Sequence, residues 1–137
     1  MKKPIRFYIS VLGAKIMIKL MRLMKRNATN LPGEIMLIFY PDLLKHFDMP
    51  ENVIAVTGTN GKTTTSGLIT HLIKESGKSV INNAMGANML TGVVNAVAVS
   101  LNPCEQTDFS VIESDEAYLA KIYDQFEADY LIVTNLF

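Results

Sequence analysis

The stretch Val53-Ile54-Ala55-Val56-Thr57-Gly58-Thr59-Asn60-Gly61-Lys62-Thr63-Thr64-Thr65 runs an apolar strand into a glycine-bracketed loop, then a lysine and three threonines. That is the layout of a nucleoside-triphosphate phosphate cradle at the head of a helix. Glycines let the main chain approach an anion without a Cβ clash, and successive N–H groups of Thr59, Asn60, Gly61 and Lys62 are expected to curl around a phosphate. Lys62 would reach the β- and γ-phosphates and Thr63 would offer its hydroxyl to Mg²⁺, with Thr64 beside it at the positive end of the helix. The loop departs from G-x-x-x-x-G-K-[ST] at its head, where Val56 stands in place of the first glycine.

Outward from this loop the rhythm is strand, helix, strand. Residues 63–76 read as a helix with Leu68, Ile69, Leu72 and Ile73 turned inward and Gly77 as its stop. A short strand at 79–82, a small-residue-rich helix at 89–101, a strand at 109–113, a helix at 116–126 and a strand at 130–134 follow. Apolar runs alternating with helices imply an α/β fold with a parallel sheet buried on both faces, and ligands beyond the carboxyl ends of its strands. Three loops should meet there: the cradle, Glu113-Ser114-Asp115-Glu116, and Thr134-Asn135. Glu113, the first acid at the end of a buried strand, is placed to hold Mg²⁺ directly or through water alongside Thr63. Asp115 and Glu116 more simply begin a helix, where acids suit the dipole. The loops Asn82-Asn83 and Gly86-Ala87-Asn88 add polar groups at the same edge. They either bind substrate, with Asn88 as the candidate, or only turn the chain.

Upstream, residues 1–50 read as an accessory region before a domain at 51–137. A helix at 4–25 carries Lys15, Lys19, Arg22 and Arg26 on one narrow face, while Ile9, Leu12, Ile16, Leu20 and Leu23 spread over a wide apolar one. The net charge of zero conceals a split: eight of the 13 basic residues lie in the first 26 positions without one of the 13 acids. Charges interrupt the apolar run too early for a membrane span or a secretory signal. Two uses remain open: a surface helix drawn to anionic lipid headgroups, or a helix docking its apolar face on other parts of the protein. Asn30-Leu31-Pro32-Gly33 marks a turn, residues 34–39 a short apolar stretch, and residues 41–47 a small helix with Pro41 at its first position.

With 137 residues, 49% of them hydrophobic, the chain can bury the core of one ordinary domain. Its single cysteine, Cys104, excludes a disulfide framework and an internal cysteine zinc site, which suits a reduced, cytoplasmic setting. No nucleic-acid partner is expected.

The run Thr57-Gly58-Thr59-Asn60-Gly61-Lys62-Thr63-Thr64 resembles the ATP loop of the Mur ligases and folylpolyglutamate synthetases, which likewise lacks the usual first glycine. Four further segments narrow the resemblance: Asn30-Leu31-Pro32-Gly33, Gly86-Ala87-Asn88-Met89-Leu90-Thr91-Gly92, Glu113-Ser114-Asp115-Glu116-Ala117 and Val133-Thr134-Asn135-Leu136-Phe137. Together they are similar to the Mur ligase-like subunits of lipid II isoglutaminyl synthase, over nearly the whole chain. The resemblance implies ATP-dependent amidation of the D-glutamate carboxylate of lipid II in peptidoglycan synthesis. The carboxylate would pass through an acyl phosphate, with ammonia delivered by a glutaminase subunit. It gives Lys62 and Glu113 the catalytic roles, Thr63 and Glu113 the magnesium, and Asn135 a nucleotide contact. It also gives the basic helix at 1–26 a reason to lie at the inner membrane face. Family members carry further sequence, including the rest of the ATP domain, a zinc insertion and a carboxyl-terminal domain. The chain is therefore expected to be an amino-terminal part of such a ligase that does not turn over alone. A nucleotide-binding piece or NTPase without ligase turnover, and another Mur-type or folylpolyglutamate-type ligase, are the alternatives.

Overall fold

The computed structural model describes residues 3–24, 31–83, 87–100 and 107–136. Asn30, Gly86, Cys104, Phe137 and the basic residues Lys2, Lys25 and Arg26 lie outside them. The elements in chain order are α1 (Ile5–Leu23), α2 (Leu31–Phe39), β1 (Asn52–Thr57), α3 (Lys62–Glu75), β2 (Val80–Asn82), α4 (Leu90–Ser100), β3 (Phe109–Glu113), α5 (Glu116–Tyr123) and β4 (Tyr130–Val133). The strands form one parallel sheet in the order β2-β3-β1-β4, with Ala55 opposite Ile112 and Thr57 opposite Val133. This is the expected α/β architecture with a helix ahead of it.

Right-handed crossovers put α3 on one face of the sheet and α4 and α5 on the other. Two strands carry the burial. Val53, Ala55 and Val56 of β1 and Val111 and Ile112 of β3 are almost wholly covered, as the near-continuous apolar runs of a two-faced parallel sheet require. The face of α4 holds the main hydrophobic cluster. Val93, Val94, Val97 and Ala98 of α4 meet Ile112 and Ile122, and the same cluster takes in Phe7 and Ala14 of α1, Met36 of α2, and Leu43 and Leu44. Helices α1 and α2 and the segment at Leu43 and Leu44 therefore share one core with the sheet.

The structure corrects several local readings. Pro32 and Gly33 do not form a turn but lie buried in the first turn of α2, where proline's missing N–H costs nothing. An alanine Cβ at Gly33 would lie 1.9 Å from the carbonyl oxygen of Thr91 in α4, so glycine is there to let two helices touch. The helix expected at 41–47 reduces to a 3-10 turn, Leu44–His46. On α3, Leu68 and Leu72 face outward rather than inward. Its sheet-facing side is instead partly polar: Ser66 is buried, and Thr70 accepts a hydrogen bond from the amide of Asn82 at 2.6 Å.

Asp108 ties the amino-terminal edges of three strands together. Its carboxylate accepts from the main-chain N–H and hydroxyl of Ser79 at 2.9 and 2.7 Å and from Lys78 at 3.2 Å, while its carbonyl accepts from Asn52 at 3.2 Å. The Ser79 N–H, then the Ser79 hydroxyl and Lys78, hold its pKa down at about 2, below the ordinary 3.8. A depressed carboxylate pKa means stability that is present above the ordinary value and lost as pH falls towards the folded one. Asp108→Asn is thus expected to lower the urea midpoint near neutral pH, with the gap to the unaltered chain closing from about pH 4 downward. A gap that stays constant between neutral pH and about pH 3 would contradict this.

Candidate functional site

Three strand ends converge on the cradle. Gly58 has φ of 129° and Gly61 of 83°, both in the region that glycine alone enters freely. At Gly58 the requirement is doubled, because a Cβ would sit 2.3 Å from Thr134 Oγ1 and 2.6 Å from the carbonyl of Asn135. The loop is pinned from that side. Asn135 accepts from the N–H of Thr59 on its carbonyl (3.0 Å) and from the N–H of Asn60 on Oδ1 (2.8 Å), and the Thr134 hydroxyl donates to the Asn60 carbonyl at 2.6 Å.

These bonds change which groups face outward. The N–H groups of Thr59 and Asn60, expected to curl around a phosphate, are turned to Asn135 instead. The first N–H of α3 to reach a main-chain acceptor is that of Thr65, on the carbonyl of Gly61 at 2.9 Å. The N–H groups at 61–64 are thus the orphan donors of a helix start, with the positive end of the α3 dipole behind them. They border a cleft of about 370 Å³ lined by Thr59, Asn60, Gly61, Lys62, Thr63, Thr64, Asn88 and Glu113. Every site residue named from sequence lines this cleft except Asn135, which shapes its rim.

Lys62 lies across the loop. Its ammonium donates to the carbonyls of Gly58 and, at 3.2 Å, of Thr59, and stands 3.6 Å from the carboxylate of Glu116. Glu116 also accepts from the Thr59 hydroxyl at 3.1 Å. Its own main-chain N–H, then Thr59 and Lys62, hold its carboxyl below the ordinary range. Sequence reading gave Glu116 only a place at a helix start, because a contact across 57 positions leaves no local signal.

Glu113 ends β3 with 2% of its surface exposed. Its Oε1 accepts from the Thr63 hydroxyl at 3.0 Å and its Oε2 from Ser66 at 3.5 Å. Among the described residues no lysine or arginine pairs with it. A second asparagine fixes the strand end. The amide of Asn83, itself 2% exposed, donates to the Glu113 carbonyl (2.7 Å) and the Ala87 carbonyl (2.8 Å) and accepts from the Glu113 N–H (2.7 Å). Asn83 therefore stands in for a neighbouring strand just where the carboxylate must be aimed. The sequence reading of Asn82-Asn83 as either substrate contact or turn missed this. Asn88 reaches the same edge through its carbonyl, which accepts from the N–H of Asp115 at 3.1 Å.

A parallel sheet whose first strand delivers a glycine-bracketed loop and an uncapped helix start, facing a buried acid on the next strand, defines an α/β anion-cradle domain. Residues 56–137 match the family model described as Mur ligase middle domain, and the chain belongs to the Mur ligase family. It is 35% identical over 111 residues to the lipid II isoglutaminyl synthase (glutamine-hydrolyzing) subunit MurT of Streptococcus pneumoniae, covering 81% of this chain and 25% of that protein. With the same subunit of Staphylococcus aureus strain COL it shares 34% over 125 residues, 90% of this chain and 28% of that protein. The UDP-N-acetylmuramoylalanine–D-glutamate ligase of Christiangramia forsetii is 37% identical over 84 residues, 61% of this chain and 17% of that ligase. The chain thus spans about a quarter of the length of the MurT subunits it matches.

Proposed function

We propose that the chain forms the ATP-holding part of a ligase that amidates the D-glutamate carboxylate of lipid II, working with a glutaminase subunit at the cytoplasmic side of the membrane. The observation that carries the nucleotide part is Glu113: a buried carboxylate, hydrogen-bonded to the Thr63 hydroxyl in the wall of a cleft that the N–H groups at 61–64 border. A buried acid without a cationic partner is costly, and a divalent ion beside it would remove the cost. No cluster of three acid, histidine or cysteine side chains exists among the described residues. The site therefore suits Mg²⁺ held by one carboxylate, one hydroxyl and oxygens of the nucleotide or water, the sparse protein coordination this ion accepts. When bound, Mg²⁺ would neutralise charge on the transferring phosphoryl group.

The residues of this chain then divide the work. The N–H groups at 61–64 hold the phosphate oxygens in place, and Lys62 exchanges its loop carbonyls for the β- and γ-phosphates. Glu113, on a strand end fixed by Asn83, and Thr63 would hold the metal. A carboxylate oxygen of the substrate attacks the γ-phosphorus and ADP departs; ammonia then attacks the acyl carbon, and phosphate leaves as the nitrogen loses a proton. No side chain becomes covalently attached, and the catalysis asked of the protein is positioning and charge stabilisation. The names of the MurT relatives supply the amidation and the glutamine-hydrolysing partner in this reading.

Its test is the metal dependence of ATP binding. In the unaltered chain, chelating Mg²⁺ is expected to weaken ATP binding roughly tenfold or more, whereas in Glu113→Gln the same chelation should change little. An unaltered chain that binds ATP equally with and without Mg²⁺ would remove Glu113 from the proposed role.

A further inference from the structure

Helix α1 is apolar on two opposite sides. Phe7, Ala14 and Ile18 are buried against the rest of the protein. On the other side Ile5, Ile9, Leu12, Ile16, Leu20 and Leu23 follow one another at spacings of three and four, a continuous stripe along the helix. All six are between 53% and 82% exposed. A helix that is hydrophobic all round is ordinarily buried on all sides, and six large aliphatic side chains in a row exceed the scattered exposure that needs no explanation. Such a stripe is the kind of surface that an apolar partner covers.

Its flanks identify the occupant. Lys15 and Lys19 border the stripe on one side and Arg6 on the other, all exposed, and none pairs with an acid among the described residues. The first 26 residues contain no acid at all. Two copies meeting stripe to stripe would bring these cations together, so a second copy of the chain is disfavoured. No described helix is long and apolar enough to cross a membrane, so α1 would lie along a surface about 28 Å long rather than span it. Aliphatic side chains facing one way with lysine and arginine stems reaching sideways suit the boundary between headgroups and acyl chains.

We propose that the outer stripe of α1 docks in the plane of a bilayer rich in anionic phospholipid, with Lys15, Lys19 and Arg6 at the headgroups and the sheet standing away from the membrane. This docking does not depend on the ligase reading, and its test reads no nucleotide. The 137-residue chain should float with phosphatidylcholine vesicles containing phosphatidylglycerol, and bind vesicles of phosphatidylcholine alone roughly tenfold more weakly or less. Raising salt to about 0.5 M should release it from the anionic vesicles. Leu12→Gln with Ile16→Gln should lower the affinity roughly tenfold or more, and Lys15→Glu with Lys19→Glu should do the same through charge. All four positions are exposed, so both double variants should keep the melting temperature of the parent chain. The proposal is overturned by absence of vesicle binding, by binding that both variants retain in full, or by equal affinity for neutral vesicles. It is also overturned if the chain self-associates in sedimentation equilibrium without binding vesicles, and Leu12→Gln with Ile16→Gln abolishes that association.

Discussion

Lys62→Ala is expected to abolish measurable heat of Mg-ATP binding in calorimetry, a loss of roughly a hundredfold or more in affinity. Only 11% of its side chain is exposed, and its ammonium lies across the loop on two carbonyls. A bound triphosphate would offer that ammonium stronger, charged acceptors at the same place, so in the proposed role the lysine would be a cation held ready beside the site. Its alanine replacement leaves the N–H groups at 61–64 and the helix dipole to hold the phosphates without a full positive charge. Glu116, which faces Lys62, would then add unopposed negative charge beside the nucleotide. The fold should survive, because Thr134 and Asn135 anchor the loop through bonds of their own that do not involve Lys62. Unchanged affinity in the variant, with an unchanged melting temperature, would end the nucleotide assignment.

Gly33→Ala is expected to be strongly destabilising although it adds a single methyl group. The added carbon would lie 1.9 Å from the Thr91 oxygen and 2.7 Å from its carbonyl carbon, both main-chain atoms of α4 that no rotamer change can move. Relief requires α2 and α4 to separate. That would pull Met36 away from the cluster that holds Val93, Val94 and Val97, adding lost packing to the strain. Overpacking of this kind costs about 3 kcal/mol or more, worth roughly 10 °C in melting temperature for a chain of this size. Gly67→Ala is the matched control: on α3 the added Cβ meets nothing within 4 Å, and alanine is the better helix former there. A Gly33→Ala melting temperature within about 2 °C of the parent would refute the close crossing.

The parallel sheet and its loops were legible because buried strands announce themselves as short apolar runs, and the loop chemistry is local to a few consecutive residues. The inward face of α3 was not. Leu68 and Leu72 carry the strongest apolar signal on that helix, yet the side beneath the loop is where Ser66 meets Glu113 and Thr70 meets Asn82. A polar cluster around the site displaced the aliphatic pattern that periodicity looks for. Pro32-Gly33 failed for a related reason. Its residues signal a turn, but the glycine answers to a helix 58 positions away in sequence, a contact no local rule contains. The same holds for Asn83, whose three hydrogen bonds reach 4 and 30 positions along the chain.

The staple between the loop and Asn135 has a consequence for the order of assembly. The N–H of Asn60 is held by a side chain 75 positions later, and Thr134 reaches the loop only once β4 lies beside β1. Closing so long a segment is entropically slow compared with forming α3. On a ribosome the helix behind the loop can form early, while the loop itself stays unshaped until the strand ending at Val133 has emerged and docked. The shape of the loop therefore reports that β4 has paired with β1.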